Sequence, residues 1–352
     1  MPNFAPTEEQ EEIRGLARGL ATEQLRPRGR QAEAQGDSAP ALQQTLSQTG
    51  LTTPFPEAYG GSGPVEAVTY TLIAEELSFG DGGLALNIIG SLAGPLAVTL
   101  AGNEQQQDQY VRPFCDERAG SQRRGSLAFA ERTGGYTLAD ISASVRREGD
   151  SYILNGNKRD IIHGARADLR VVLARLEGTS GSEGLCALML PATGEGLHIQ
   201  ADELKLGLRA APSASYTFEN VSIPADCLLG EPGGSGVVRS ATLYAILRAG
   251  LACGTARAAL EYAIDYAKQR IAFGRPIASY QGIAFMVSEM AMKLDAARLL
   301  TWRAAWMGRN QIPFTAGEGS MSKVFAGETA VWVTEQAIQI LGGNGYTREY
   351  PV

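Results

Sequence analysis

Apolar residues follow helical spacing at both ends of the chain and strand spacing in the middle. That change of period restricts the fold to an α+β class in which helices and strands are segregated along the sequence. Thr7 followed by Gln10 fits a helix-capping box, after which Ile13, Leu16 and Leu20 repeat at helical spacing. A glycine loop at Gly60, Gly61 and Gly63 precedes a second helical stretch that contains Glu75 and Glu76 and stays apolar to about Leu100. From about Ser121 the texture becomes β-rich. Ser126 to Glu131, Tyr152 to Leu154 between the turn signals Glu148-Gly149-Asp150 and Asn155-Gly156, Leu169 to Leu176, Leu185 to Leu190, Tyr216 to Phe218 and Val221 to Ile223 read as short strands. Beyond the linker Gly233 to Gly236, three helical stripes appear. They are Leu260/Ile264/Ala267/Ile271, Ile283/Val287/Met290/Leu294/Ala297 and Ala326/Ala330/Val333/Ala337/Ile340.

The pattern predicts an all-α N-terminal domain over 1–118, a mainly antiparallel β domain over 119–232, and a C-terminal helical domain over 233–352. The last is expected to resemble a four-helix bundle and to be incomplete, because the loop Gly342 to Gly345 is followed only by a few residues to Val352. No internal repeat is present.

Composition narrows the function classes. A chain of 352 residues, 44% hydrophobic and 20% charged, has the make-up of a globular protein with a sizeable core. Its net charge of -7 and lack of a basic run argue against nucleic-acid or anionic-membrane binding. No run of ~18 apolar residues is read as a membrane span, and the N-terminus MPNFAPTEEQ carries no signal-peptide pattern, so a cytoplasmic location is expected. The four cysteines are dispersed, without a CxxC pair, and the two histidines have no metal-ligand spacing. They are expected to be structural, and no metal site is expected.

Two long patterns carry more information. Arg270-Ile-Ala-Phe273-Gly274-Arg-Pro-Ile is followed by Gln281, and Gln339-Ile-Leu-Gly342-Gly343-Asn-Gly-Tyr346-Thr-Arg-Glu-Tyr-Pro lies near the end. Singly, Arg270 reads as a solvated helix residue, Phe273 as core and Gly342-Gly343 as a helix C-cap. Together, in this order and spacing, they resemble the signatures of the acyl-CoA dehydrogenase family. Tyr59-Gly60-Gly61, Glu75-Glu76-Leu77 and Leu206-Gly207-Leu208-Arg209 add weaker support. The resemblance implies an FAD-dependent oxidation of an acyl-CoA between its α and β carbons, in fatty acid metabolism, with electrons passed to an electron-transfer flavoprotein. It implies that Arg270 binds the FAD pyrophosphate, a role suited to a planar guanidinium. Phe273, Gln281, Gln339, Gly342 and Gly343 join it as cofactor-binding residues, reaching the FAD of a neighbouring subunit in a homodimer or homotetramer, or in a hetero-oligomer, and Glu131 is a further cofactor-binding residue. Tyr244 and Arg248 occupy positions that border the thioester in relatives.

The chain departs from the family at the flavin ring. The family's A-x-T-E-x-x-x-G-S-D becomes Ala128-Phe129-Ala130-Glu131-Arg132-Thr133-Gly134-Gly135-Tyr136, and its aromatic-Ile-Thr-Asn becomes Asp160-Ile161-Ile162-His163. Ala130 and Ile162 therefore replace two flavin-facing hydroxyls. The reaction also needs a general base for the α proton. One family position for it is Leu247, which cannot take a proton; the other falls beyond Val352. Glu261 has the neighbours of a solvated face. Two alternatives follow: a non-catalytic partner subunit of an acyl-CoA dehydrogenase complex, or a flavin oxidase or monooxygenase on the same fold.

Overall fold

Thr7 caps the first helix as its sequence predicts. Its hydroxyl accepts from the Gln10 amide N–H, and the Gln10 side chain returns a bond to the Thr7 N–H. The computed structural model describes residues 5–38, 40–63, 66–117, 119–131, 138–181, 183–314 and 317–352. In chain order the helices are α1 (Glu8–Leu20), α2 (Gly29–Gln35), α3 (Pro40–Ser47), α4 (Ala67–Gly80), α5 (Gly82–Ser91), α6 (Ala93–Ala101), α7 (Glu104–Tyr110), α8 (Ser235–Gln269), α9 (Gln281–Arg309) and α10 (Glu318–Leu341). The strands are β1 (Gly125–Ala128), β2 (Ser144–Glu148), β3 (Ser151–Ile162), β4 (Leu169–Leu176), β5 (Leu185–Leu190), β6 (Leu197–Ile199), β7 (Ser213–Pro224), β8 (Leu228–Leu229), β9 (Ile271–Ala272) and β10 (Arg275–Pro276).

The chain divides into two compact units. The first comprises residues 1–27, 66–85 and 245–352; the second comprises 28–65 and 86–244. In the first, α8, α9 and α10 bury Ala256, Ala263, Leu294, Ala297, Val333 and Ile340 against one another. The stripes anticipated on α9 and α10 thus face the core. The α8 stripe stops short of Ile271, which lies past the helix end, half-exposed in β9. On α1 the expected stripe is also displaced. Gln10 and Ala17 are the buried residues, and Leu16 is half-exposed.

The second unit is built on one sheet in the order β6-β7-β3-β2-β4-β5-β8, with β1 beside β4. Pairings are antiparallel except β1 with β4 and β2 with β4, which are parallel. Leu154, Val172, Ala174, Leu188, Tyr216, Phe218 and Ile223 fill its core. Asn155-Gly156, anticipated as a turn, instead lies inside β3. The strand passes through with a register shift between Leu154 and Gly156, where Gly156 has φ 130°. Likewise Tyr216–Phe218 and Val221–Ile223 are parts of the single twelve-residue strand β7.

Gly82–Ala101 has a mean hydropathy of 1.8 over 20 residues, enough in length and composition to cross a membrane, but 78% of it is buried within the protein. A run this apolar with its sides covered by protein is a core segment.

Candidate functional site

In the first unit the chain leaves α8 through a two-residue hairpin. Arg275 pairs with Ala272 and Pro276 with Ile271, leaving Phe273 and Gly274 as the turn. Both have positive φ, 50° and 80°, the conformation that matches the twist of a tight hairpin. Glycine takes it without cost, but a bulky aromatic does so at about 1–2 kcal/mol. The Tyr280 hydroxyl holds the turn by donating to the Ala272 carbonyl at 2.9 Å, and the Arg275 guanidinium lies 4.1 Å over the Tyr280 ring. The strained Phe273 ring is 97% exposed. Core formation does not explain a strained, fully presented aromatic; a ligand or partner does.

Arg270, between α8 and the hairpin, accepts at its carbonyl from the Ile277 N–H at 2.9 Å. Its side chain is exposed, with no ion-pair or hydrogen-bond partner among the described residues. One turn earlier, the Tyr266 hydroxyl accepts from the Asn344 amide at 2.9 Å, and the Tyr266 ring meets Tyr350 edge-on at 6.1 Å. This ties the segment after α10 to the end of α8 and sets Gly342-Gly343 at the same end of the helices as Arg270. Gly342 has φ 59° and ψ -132°, a conformation reserved to glycine, and nothing lies within 4 Å of an added Cβ at Gly342 or Gly343. Gln339 and Gln281 are exposed. Sequence-predicted residues from four separate elements are thus all presented outward, their polar groups and bare backbone free for a ligand.

Elsewhere in this unit Leu247 is completely buried. Lys323 has its ammonium held below the usual lysine range, by burial first and then by the charge of Arg248. Glu261 is half-exposed, 3.8 Å from Arg257.

In the second unit Glu131 is buried, and its carboxylate is fully used inside the protein. Oε1 accepts from Lys158 Nζ at 2.7 Å and the Ala143 N–H at 2.9 Å; Oε2 accepts from the Ser142 N–H at 2.8 Å and its hydroxyl at 2.5 Å. Burial would raise Glu131, but the Lys158 charge and these bonds hold it below the ordinary carboxylate range. Burial pushes Lys158 down to about 8 against the opposing pull of Glu131. Lys158 Nζ also donates to the Phe129 carbonyl at 3.0 Å, and the Arg159 N–H donates to that of Ala130 at 3.0 Å. Glu131 and Lys158 therefore fix the backbone from Phe129 to Glu131 by anchoring it to β3. Ile162, at the far end of β3, presses a methyl against Gly90. A Cβ there would lie 2.5 Å from Ile162 Cγ2, so only glycine fits. His163 is fully buried with φ 60°. Its Nε2 is 2.8 Å from the Asn87 carbonyl, and burial holds it neutral with a pKa of about 4. Tyr244 is buried in this unit. The motif residues from Arg132 to Tyr136 lie outside the described residues.

Sequence reasoning passed over one feature. Glu76, buried on α4, accepts from Arg14 at 2.8 Å, from Arg18, and from Arg257 at 2.5 Å; Glu75 accepts from Arg257 at 3.0 Å and Arg298 at 3.0 Å. The Phe79 ring carries the guanidinium groups of Arg18, Arg26 and Arg257 at 4.4 to 4.5 Å. Burial would raise Glu76, yet the arginines bring it to about 2. An acidic pair inside an otherwise apolar helix was the available signal.

Family models for the acyl-CoA dehydrogenase N-terminal, middle and C-terminal domains match residues 7–118, 126–221 and 234–352. The mitochondrial short-chain specific acyl-CoA dehydrogenase of Rattus norvegicus is 36% identical over 345 residues, covering 96% of this chain and 82% of that protein. The chain belongs to the acyl-CoA dehydrogenase family. Butyryl-CoA dehydrogenase from Megasphaera elsdenii shares the fold with a TM-score of 0.86 and 30% identity, over 99% of this chain and 92% of that one. A chain solved in work on the electron transferring flavoprotein of Acidaminococcus fermentans matches with a TM-score of 0.86 and 32% identity, over 99% and 92%.

Acyl-CoA dehydrogenases are flavin oxidoreductases that bind FAD. The residues present fit that group at one end. A guanidinium without a partner among the described residues, a presented aromatic ring and a bare glycine backbone match a pyrophosphate and its flanking groups. In the second unit, Ala130 and Ile162 carry no hydroxyl and the Glu131 carboxylate is committed internally.

Proposed function

We propose that this chain takes part in the FAD-dependent α,β-dehydrogenation of a short acyl-CoA to the trans-2-enoyl-CoA, with an electron-transfer flavoprotein as acceptor. The observation that carries the reading is the outward set of Arg270, Phe273, Gln281, Gln339 and Gly342-Gly343, with a strained aromatic held up to solvent. The names of the rat and Megasphaera relatives support a short acyl chain. FAD, when bound, supplies the two-electron acceptor. Arg270 would pair with its pyrophosphate, and the Glu131–Lys158 clamp holds rigid the Phe129–Ala130 backbone that would meet the ring. Arg248, whose charge reaches Lys323, would border the thioester end of the substrate.

The same reading makes the protein a homodimer or homotetramer. On α9 Phe285, Met292, Leu299 and Trp306 are exposed at seven-residue spacing, and on α10 Val324, Val331 and Ile338 repeat the pattern. Such stripes are what a facing helix covers.

Leu247 favours a second reading, a non-catalytic subunit of a dehydrogenase complex, because a buried leucine stands where some relatives carry the base. Anaerobic titration of the purified protein with butyryl-, hexanoyl- and palmitoyl-CoA separates the two. Bleaching of a bound flavin by butyryl-CoA supports the dehydrogenase. Retained flavin that no thioester bleaches supports the subunit. A folded protein that takes up no FAD refutes the dehydrogenase and leaves the subunit.

A further inference from the structure

Between β6 and β7 the second unit carries a loop that holds its leucines out and its lysine in. Leu204 and Leu206 are 102% and 106% exposed, as open as in an extended chain, and Leu208 is exposed at φ 53°. The loop is pinned along its length. Asp202 pairs with Arg166 at 2.6 Å. The Glu203 N–H donates to the Ser213 carbonyl at 2.8 Å, and its carboxylate accepts from the hydroxyls of Ser213 and Ser215 at 2.6 and 2.8 Å. Lys205, between the two leucines, turns inward, and its ammonium donates to the Leu208 carbonyl at 2.8 Å and to that of Ala211. The Arg209 N–H donates to Glu33 at 2.7 Å, while the Arg209 side chain is exposed. This arrangement reverses the usual preference of leucine and lysine. A fixed backbone that presents two bare leucines, with strain at Leu208, is what a partner surface repays.

The place of the loop says which partner. The Asp160 N–H also donates to the Glu203 carboxylate. Asp160 follows Arg159, whose N–H donates to the Ala130 carbonyl at 3.0 Å. The loop is thus joined through Asp160 and Arg159 to the Phe129–Ala130 backbone that would meet the flavin ring. Electrons leave a reduced flavin over short distances only, so a protein acceptor has to seat on a surface beside the ring. The charges of Asp202, Glu203 and Lys205 are spent within the unit, which leaves an apolar surface with one outward cation, Arg209.

We propose that Leu204 and Leu206, with Arg209 in the same loop, form the surface on which the electron-transfer flavoprotein docks. The inference rests on the dehydrogenase reading and adds where that acceptor seats. The complementary surface on the flavoprotein is apolar and carries a carboxylate for Arg209.

The double variant Leu204→Ser/Leu206→Ser tests it, since both side chains are fully exposed and fill no core. Parent and variant are compared in butyryl-CoA oxidation with ferrocenium, a small soluble acceptor, and with the host organism's own electron-transfer flavoprotein. The ferrocenium rate is expected to stay unchanged, while KM for the flavoprotein rises at least about tenfold, as leaving two leucines unburied implies. An unchanged KM overturns the proposal. So does an equal loss with ferrocenium, which gives the loop to the flavin site, or a smaller assembly in light scattering, which makes it a contact between copies of the chain. Calorimetric titration of the flavoprotein into both proteins makes the same comparison without turnover. There the variant is expected to bind at least about tenfold more weakly, and a parent that does not bind, or a variant that binds equally, overturns the docking surface. A parent that binds the flavoprotein through the leucines but is not bleached by butyryl-CoA refutes the dehydrogenase reading and leaves the surface standing.

Discussion

Removing the two partners of the buried Glu131–Lys158 pair should have unequal consequences. Glu131 receives hydrogen bonds from Lys158, from the Ser142 N–H and hydroxyl, and from the Ala143 N–H. Lys158→Met keeps the side-chain length and leaves the carboxylate three donors, so the expected loss is about 1.5–3 kcal/mol, one charged hydrogen bond's worth. Glu131→Gln leaves the Lys158 ammonium, fully buried, with only the Phe129 carbonyl. It also turns an amide NH2 toward groups that are themselves donors. An uncompensated buried charge of this kind costs about 3–5 kcal/mol. The double variant Glu131→Gln/Lys158→Met removes that charge and should recover about 2 kcal/mol relative to Glu131→Gln alone. Urea unfolding of the four proteins, followed by far-ultraviolet circular dichroism, measures the cycle through midpoints at constant slope. If Glu131→Gln is no worse than Lys158→Met, or the double variant shows the summed loss, the pair is not the anchor described here.

His163 gives a pH prediction. Its folded-state pKa, about 4, is depressed below the 6.5 of an exposed imidazole, so the unfolded chain takes up the proton first. Stability present above pH 6.5 drains as pH falls toward 4, by about 3 kcal/mol in all, and His163→Gln should flatten the midpoint-versus-pH curve across that window. Arg270→Ala should lower FAD retention on desalting at least about tenfold while leaving the thermal midpoint unchanged, since the side chain is exposed and a charged hydrogen bond contributes about 1.5–3 kcal/mol. Phe273→Gly removes the positive-φ cost, so the protein should hold or gain up to about 1 kcal/mol in thermal unfolding, yet lose FAD or self-association in light scattering.

Strands whose apolar runs are buried on both faces were legible to the residue: β4 and β5 occupy the expected Leu169–Leu176 and Leu185–Leu190. Asn155-Gly156 misled because the dipeptide that makes a hairpin turn also makes a bulge, and only cross-strand register separates them. Ile271 continued a helical stripe by spacing, but the stripe outran the helix, which gives way to the hairpin at Arg270. At the site, Arg270, Phe273 and the glycines stood out through the spacing of their motifs. The Glu131 clamp did not, because Lys158 and Ser142 are brought to it by strand pairing rather than by proximity in sequence. The Glu75–Glu76 cluster was hidden for the same reason.

That cluster also orders the assembly of the first unit in time. Arg14 and Arg18 emerge from the ribosome before Glu76 and can meet it early, across 62 and 58 residues. Arg257 follows only after 181 further residues and Arg298 later still, 223 residues after Glu75. Until then Glu75 lacks the cations that permit its burial, and α4 cannot close fully into an apolar interior. The last third of the chain thus licenses the first to finish folding, and the larger part of the second unit, residues 86–244, is synthesised while they wait.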